Sequence, residues 1–277
     1  MESRSLPDYL IIGHVSHDLT PEGFATGGTV SYSGLTACAL GCKTFVVTSA
    51  GPDFDPTAEL PGLNVHVVPA AETTTFDNIY LAEGRQQYIH KRANPIEPGH
   101  IPPDWLQSAI VHLAPVDMEF DPSMIHTFSN SKIGITPQGW LRSWDETGKI
   151  RYKSWSPDAA VLSKAAVLVI SAEDIPPVES LCPYREHVPI LVQTRGRQGC
   201  TVYQGEARYD FPAPSVQEVN LTGAGDIFAA SFIIRLHQTD SISEAAVFAN
   251  EIAALSVTGE TLLEKVAIIQ ERLQSDL

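Results

Sequence analysis

The residues with the clearest chemical potential lie in the segment Asn220-Leu-Thr-Gly-Ala-Gly-Asp226, which leads directly into an apolar helical pattern. Gly223 and Gly225 allow a tight turn and let a ligand approach the backbone closely. The first amides of a helix lack intrahelical partners and lie at the positive end of its dipole, so they bind phosphate well. We therefore expect the amides of Gly223, Ala224 and Gly225 to form an anion hole.

Asp226 stands at the N-terminus of the same predicted helix. A carboxylate there can accept the proton of an attacking hydroxyl while the neighbouring amides stabilise charge on a transferred phosphoryl group. The alternative interpretation is that the glycines only shape a turn and that Asp226 only caps the helix. The segment favours a phosphoryl-transfer site with Asp226 as general base.

Asp18 is the second candidate, because it follows the first apolar run of the chain by a few residues. Ligands of open α/β sheets collect at the carboxyl ends of strands, and a carboxylate can accept hydrogen bonds from two adjacent hydroxyls. His14 and His17 beside it could instead suggest a metal site. That pair lacks a third ligand at a recognisable spacing, so substrate binding is the preferred interpretation.

The charge of the chain limits what else it can bind. Its 277 residues carry a formal net charge of −15, which disfavours nucleic acids and anionic membrane surfaces. No apolar run approaches the length of a membrane span and no signal peptide is visible, so a cytoplasmic protein is predicted. The cysteines lack the spacing of a zinc site and are expected to be reduced thiols.

The elements that must position these residues form an alternating pattern. Short β-branched runs predict strands at 9–12, 45–48, 110–113, 133–135, 167–170 and 190–193, with helical segments at 33–40, 105–109, 122–128 and 157–162 between them. The last third predicts three helices, one of which starts at Ser241 with a capping box. This pattern predicts a doubly wound α/β fold with a mostly parallel sheet flanked by helices. A length of 277 residues suits one domain over 1–277.

Two segments break this α/β rhythm. Residues 73–81 and 86–91 are β-prone and are joined by a turn containing Gly84, which predicts a hairpin apart from the main sheet. Such a hairpin, over about 73–92 and with the segment near 14–28, could cover a site as a small β lid. An ordinary edge hairpin is the alternative.

The chain resembles the ribokinase-like (PfkB) carbohydrate kinases. Residues 220–226 are similar to the family's DTxGAGD signature, and Gly27-Gly28 before a helix resembles its N-terminal signature. Gly51-Pro-Asp53 and Thr194-Arg-Gly196-Arg-Gln-Gly199 are similar to further family motifs. The segments 91–96 and 137–142 most resemble the plant myo-inositol kinase branch.

The resemblance implies roles for residues on both sides of the transferred phosphate. It implies ATP as donor, with Thr194, Gly196, Gly199 and Asn250 lining the nucleotide pocket and Mg²⁺ near Glu173 and Asp174. It implies that Asp18 and the backbone at Gly27 and Gly28 bind the acceptor. Arg142 is the best candidate for a cation near phosphate or substrate.

Three departures from the family pattern stand beside these matches. Asn220 replaces the aspartate that opens the signature and contributes to a monovalent-cation site, so the requirement for K⁺ stays open. The family's N-x-x-E appears as Ser171-Ala-Glu-Asp174. Thr29-Val-Ser-Tyr-Ser33 follows the double glycine in place of the usual asparagine.

The predicted function is ATP-dependent phosphorylation of a hydroxyl on a small polyol or sugar, with myo-inositol-like polyols favoured. A nucleoside kinase of the same family is the first alternative, for which Phe24 or Phe76 could clamp the base. A catalytically silent polyol- or nucleotide-binding protein is the second. A homodimer is among the assemblies that the resemblance allows.

Overall fold

The computed structural model describes residues 6–81, 84–177 and 179–275. Its strands are β1 (Tyr9–Ile12), β2 (Ser16–Thr20), β3 (Gly23–Gly27), β4 (Thr44–Ala50), β5 (Asn64–Pro69), β6 (Thr74–Leu81), β7 (Gly84–Lys91), β8 (Ile110–Leu113), β9 (Lys132–Ile135), β10 (Arg142–Trp144), β11 (Ile150–Tyr152), β12 (Val167–Ser171), β13 (Leu191–Thr194), β14 (Cys200–Gln204) and β15 (Ala207–Phe211).

The helices are α1 (Thr29–Ala39), α2 (Pro56–Glu59), α3 (Ala159–Lys164), α4 (Cys182–Arg185), α5 (Ala224–Thr239), α6 (Ile242–Ser256) and α7 (Leu262–Gln274). Short 3₁₀ helices lie at Pro98–His100, Pro103–Gln107, Pro122–Thr127, Gln138–Leu141 and Gly196–Gln198. Across the described parts of the chain, no helix is both long enough and apolar enough to cross a bilayer.

The main sheet has nine strands in the order β15-β14-β13-β12-β9-β8-β1-β4-β5. Every neighbouring pair from β13 to β5 is parallel, whereas β14 runs antiparallel to both of its neighbours. The carboxyl ends of the parallel strands therefore share one edge, where the loops after them meet. The mostly parallel α/β fold predicted from the sequence is confirmed.

The strands are apolar throughout because both faces of this sheet are covered. In β1, Tyr9 and Ile11 pack with residues of α1, α5 and α6, while Leu10 and Ile12 pack into a second cluster on the other face. Each fully buried aliphatic side chain contributes about 1.5–3 kcal/mol, so this layered burial dominates the stability of the fold. The two clusters hold the carboxyl edge of the sheet in place from both sides.

Some local predictions were wrong. The segments 105–109 and 122–128 form short 3₁₀ helices, at Pro103–Gln107 and Pro122–Thr127, because each begins with proline and is too short for a stable α-helix. Strand β5 and the hairpins β10–β11 and β14–β15 were not predicted. Their strands are partly exposed, so they lack the continuous apolar runs that identify buried strands.

A second sheet of four strands, in the order β3-β2-β6-β7, stands apart from the main sheet. Strands β6 and β7 are the hairpin expected at 73–92; Ala82 and Glu83 of its predicted turn lie outside the described residues. Asp18 in β2 pairs with Phe76 in β6, so the two side chains share one face of this sheet. We refer to these four strands as the small sheet.

Candidate active site

The loop before α5, residues 220–225, has the conformation expected of an anion-binding loop, and we refer to it as the cradle. Gly223 adopts a left-handed conformation, with φ of 78°, and a Cβ atom there would lie 2.0 Å from the ring of Tyr32. A Cβ atom on Gly225 would meet no atom within 4 Å, so the space above that residue is open. The N–H of Ala224 donates to the Leu221 carbonyl at 3.2 Å, a bond with which an anion at this amide would compete.

Asp226 lies in the first turn of α5 and is held by α1. The Thr29 hydroxyl donates to Asp226 Oδ1 at 2.9 Å, and the Ser33 hydroxyl donates to the Asp226 carbonyl at 2.8 Å. Thr29 and Ser33 are one helical turn apart, so both side chains face α5. The carboxylate is thereby aimed by a helix that begins directly after Gly28.

Burial raises the pKa of Asp226 to about 6. The Thr29 hydrogen bond and the charge of Arg142 act in the opposite direction, whereas the negative charges of Asp174 and Asp18 add to the rise. A carboxylate with this pKa is ionised at neutral pH yet is a stronger base than an exposed aspartate. Asp174, Asp18 and Arg142 belong to different elements, and all three lie close enough to Asp226 to shift its pKa.

Around Asp18, the two glycines at positions 27 and 28 leave room for their neighbours. A Cβ atom on Gly27 would lie 2.7 Å from Asp18 Oδ2, so the Asp18 carboxylate lies directly against this backbone. Gly28 has φ of 85° and a Cβ atom there would lie 2.5 Å from the His14 carbonyl, which explains the need for glycine before α1. These contacts bring Asp18, Gly27 and Gly28 together at the carboxyl edge of the main sheet.

Arg142 is a buried cation at the start of β10. Its Nη1 donates to the Val116 carbonyl at 3.1 Å, and its guanidinium carbon lies 5.8 Å from the centre of the Phe76 ring. Phe76 belongs to the small sheet, so Arg142 connects that sheet to the loop after β8. Its charge also lowers the pKa of Asp226, which places it within electrostatic reach of the cradle.

Glu173 and Asp174 follow β12 at the same edge of the main sheet. The Gln138 amide donates to Asp174 Oδ1 at 3.2 Å, while the Glu173 amide donates to the Ser171 hydroxyl at 3.1 Å and the Glu173 side chain is exposed. Mg²⁺ prefers oxygen ligands and retains several waters, so a carboxylate pair near Asp226 fits this ion. The donor set is therefore compatible with a metal bound mainly through nucleotide phosphates.

The residues expected on the nucleotide side lie farther along the sheet. Thr194 ends β13, and Gly196 and Gly199 adopt positive φ in the turn that follows. Asn250 in α6 is 4% exposed, and its amide donates to the Phe211 carbonyl at 3.1 Å. Asn250 thus attaches α6 to the end of β15.

Beside Asn250, a groove of about 500 Å³ separates α6 from the loop after β15. Its walls are mainly apolar: Pro212, Ala213, Pro214, Val216, Val247, Ala254 and Leu255, with Glu251 at one side. A flat, largely apolar ring system would fit between a loop and a helix of this composition.

A histidine-carboxylate cluster ties the small sheet to the main sheet. The ligand atoms of His14, Asp117 and Glu119 lie within 4.8 Å of one another. However, the two Glu119 oxygens accept bonds from the amides of His14, Val116 and Asp117, and Arg92 Nε donates to Asp117 Oδ2 at 3.0 Å. The other Asp117 oxygen, Oδ1, finds no hydrogen-bond donor among the described residues but lies 3.3 Å from His14 Nδ1, so the cluster has the properties of a buried ion-pair network.

Sequence reasoning missed the contributions of Thr29, Ser33 and Lys265. The first two form the hydrogen bonds to Asp226 described above; their spacing of four residues was a usable signal, but the helix was predicted only from residue 33 onward. Lys265 is completely buried at the start of α7, and its Nζ donates to the Asn220 carbonyl. Its signal is a lysine inside the apolar stripe of Leu262, Val266 and Ile269.

Comparisons with known proteins found a family match and several relatives. Residues 164–265 match the pfkB family carbohydrate kinases, a range that includes Glu173, the cradle and Asp226. The chain is 28% identical to inositol 3-kinase of Oryza sativa subsp. japonica, over 90% of this chain and 68% of the relative. It is 27% identical to ribokinase of Bacillus subtilis, over 83% of this chain and 80% of the relative.

One solved structure with a similar fold is a pyrophosphate-dependent kinase in the ribokinase family, complexed with a pyrophosphate analogue and myo-inositol. It superposes with a TM-score of 0.80 at 21% identity, covering 96% of this chain and 99% of that chain. At this identity the likeness concerns the fold.

Proposed function

Because the chain belongs to the PfkB family of carbohydrate kinases, phosphotransferases with an alcohol group as acceptor, we propose that it phosphorylates a hydroxyl of a small polyol, with ATP as donor and myo-inositol as the favoured acceptor. The observation that carries the proposal is the position of Asp226. It lies beside an open glycine turn at a helix N-terminus, with Thr29 bonded to one of its oxygens.

The reaction follows from this arrangement. The acceptor oxygen forms a bond to the γ-phosphorus of ATP, and the bond from that phosphorus to the β–γ bridging oxygen breaks, so that ADP leaves with the electron pair. The hydroxyl proton passes to Asp226. The amides of Gly223, Ala224 and Gly225 would stabilise the negative charge of the transferred group, because they lie at the N-terminus of α5, the positive end of its dipole. This chemistry depends mainly on positioning and charge.

Asp18 and the backbone at Gly27 and Gly28 would hold the acceptor. A carboxylate accepts hydrogen bonds from two adjacent hydroxyls, a feature that a cyclic polyol offers on every edge. The choice of myo-inositol rests on two similarities, to a rice inositol 3-kinase and to the fold of a kinase complexed with myo-inositol. Arg142, buried under the small sheet, would provide positive charge near the acceptor or its product.

On the donor side, Thr194, Gly196, Gly199 and Asn250 would border the nucleotide, and the groove beside α6 favours a donor that carries a purine ring over bare pyrophosphate. Glu173 and Asp174 would hold Mg²⁺ through its waters. When bound, Mg²⁺ neutralises phosphate charge.

The observations give less support to the alternatives. Phe24 stacks on His17 with ring centres 3.7 Å apart, and Phe76 is 3% exposed beneath Arg142, so both rings already have packing partners. A base clamp built from Phe76 would require that ring to move, whereas Phe24 is 49% exposed and keeps an accessible side. A silent binding protein would gain nothing from the two hydrogen bonds from α1 that orient Asp226.

The experiment is a coupled ADP-release assay with ATP and Mg²⁺ against polyols, sugars and nucleosides, and a phosphate-transfer assay with pyrophosphate in parallel. We expect turnover with myo-inositol or a related polyol. Asp226→Asn should lower kcat by about 10²–10⁴-fold, the usual contribution of a general base. Asparagine can still accept the Thr29 hydrogen bond, so folding is preserved.

The matched control is Asp240→Asn at the opposite end of α5. Asp240 is exposed and has φ of 52°, a conformation that asparagine tolerates well. The Asp240→Asn enzyme should keep wild-type kcat. Wild-type turnover in the Asp226→Asn enzyme would refute the role of the base, and turnover only with nucleosides would overturn the polyol proposal.

A further inference from the structure

The burial of Lys265 in α7 is unexpected. This residue lies in the first turns of α7 and is 0% exposed, although lysine is almost never fully buried without a partner. Its ammonium reaches the loop that carries the phosphate cradle, where Nζ donates to the Asn220 carbonyl. A positive charge is therefore built into the structure against the start of this loop.

The surrounding structure is adapted to this side chain. A Cβ atom on Gly259 would lie 3.2 Å from Lys265 Cγ, so the absence of a side chain there leaves room for the lysine stem. Thr261 and Glu264 form a complete capping box at the start of α7. The direction from which Lys265 approaches the loop is thus set by a well-capped helix.

Asn220 uses all of its polar groups in the same contact region. Its backbone N–H donates to the Val257 carbonyl at 3.2 Å, its side-chain amide donates to the Glu260 carbonyl at 2.9 Å, and its side-chain oxygen accepts from the Thr222 amide at 2.9 Å. The Lys265 ammonium bonds to the remaining carbonyl. Asn220 and Lys265 together hold the start of the turn that leads to Gly223.

These contacts do not fit a K⁺ site. Position 220 offers no carboxylate, the Glu260 carbonyl already accepts from the Asn220 amide, and the Asn220 carbonyl already accepts from an ammonium. A K⁺ ion would have to displace donors from these oxygens and lie beside a positive charge. The family's monovalent-cation requirement therefore disagrees with the residues of this chain.

We infer that the Lys265 ammonium is a built-in cation that holds the Asn220–Gly225 turn in its anion-binding conformation, so that this enzyme needs no added K⁺. The inference rests on the proposed kinase function and assigns Lys265 as a positioning residue, which acts through the loop. Glu260 is the acidic group that faces it, and its charge opposes the lowering of the pKa of Lys265 to about 8 that burial causes. The ammonium is thus present at neutral pH.

Two substitutions separate charge from packing. Lys265→Met removes the ammonium and keeps a side chain in the channel, whereas Lys265→Ala removes the ammonium and leaves space that NH₄⁺ or methylammonium can enter. Lys43→Met at an exposed turn is the control, since it removes one lysine far from the cradle. Each protein is assayed at constant ionic strength in choline chloride, KCl and ammonium chloride, with circular dichroism as the check on folding.

We expect wild-type kcat/KM for ATP to change less than twofold between choline and K⁺. Both Lys265 variants should lose at least tenfold in choline, and ammonium should restore at least fivefold to Lys265→Ala but not to Lys265→Met. The inference is overturned by K⁺ activation of the wild type above fivefold, by wild-type kcat/KM in folded Lys265→Met, or by no ammonium rescue of folded Lys265→Ala.

A second readout does not depend on turnover. Inorganic phosphate that binds the cradle should raise the melting temperature of the wild type in choline, because a ligand of the native state stabilises it. The variants should lose this increase, and Lys265→Ala should regain it in ammonium. If no acceptor is phosphorylated, the kinase proposal fails, while this melting series still decides whether Lys265 maintains an anion site.

Discussion

The hydrogen bond from Thr29 to Asp226 allows a quantitative test of what sets the pKa of Asp226, the proposed base. Thr29→Val keeps the shape of the side chain and removes only the hydroxyl that donates to Asp226 Oδ1 at 2.9 Å. The main groups acting on this carboxylate are then Asp174 and Asp18, which raise its pKa, and Arg142, which lowers it. Loss of a donor to the ionised form must raise the pKa further.

A hydrogen bond to a charged group contributes about 1.5–3 kcal/mol, and about 1.4 kcal/mol corresponds to one pKa unit. The hydrogen bond between Thr29 and Asp226 is partly exposed to solvent, so the lower end of that range applies. The pKa of Asp226 should therefore rise from about 6 to about 7. At pH 6 the ionised fraction falls from about one half to about one tenth, which predicts a loss of activity of about fivefold.

The assay is the pH dependence of kcat/KM for the acceptor between pH 5 and pH 9. The acidic limb of the Thr29→Val enzyme should move to higher pH by about one unit and rejoin the wild-type curve above pH 8. Thr29→Ser, which keeps the hydroxyl, should retain the wild-type limb. An unmoved limb with equal activity at pH 6 would refute the assignment of Asp226 as the group that titrates.

Two further predictions concern the cradle and the acceptor site. Gly223→Ala should reduce kcat/KM for ATP at least tenfold and lower the melting temperature, because alanine would be strained at φ of 78° and its Cβ would lie 2.0 Å from the Tyr32 ring. Gly225→Ala, whose Cβ meets open space, is the comparison for stability. An unchanged melting temperature in Gly223→Ala would contradict the packing argument. Asp18→Asn should raise KM for the polyol about tenfold, with KM for ATP unchanged, because an amide oxygen accepts hydrogen bonds from hydroxyls more weakly than a carboxylate does. Equal changes in both KM values would contradict a role of Asp18 that is specific to polyol binding.

The sequence allowed the fold to be predicted because parallel strands buried on both faces leave a strong apolar signal. The run Tyr-Leu-Ile-Ile at β1 and the similar runs at β8 and β12 were recognised for this reason. Edge elements such as β15 are exposed, so their residues carry no such pattern. The short proline-initiated helices were misjudged because local composition does not separate one 3₁₀ turn from a longer helix.

The residues of the candidate site could be identified from local sequence, whereas their contacts could not. Asp226, its glycines and Asp18 could be proposed from sequence, since turn chemistry and a helix start are encoded within a few neighbouring residues. The environment of each group could not be proposed. Arg142 is buried against Phe76 of another sheet, and Asn250 donates to Phe211, contacts between residues far apart in the chain.

What the sequence by itself determined is therefore the fold class, and it was enough to propose the phosphate cradle and Asp226 as the base, because each depends on short-range pattern. Only the tertiary structure decided the partners of Asp226 and the contact of Lys265 with Asn220. The hydroxyl of Thr29 and the carboxylate of Asp226 are separated by 197 positions, and Lys265 and Asn220 by 45. Hydrogen bonding and desolvation act over distances of a few ångströms in space, so they become visible only when packing has brought these residues together.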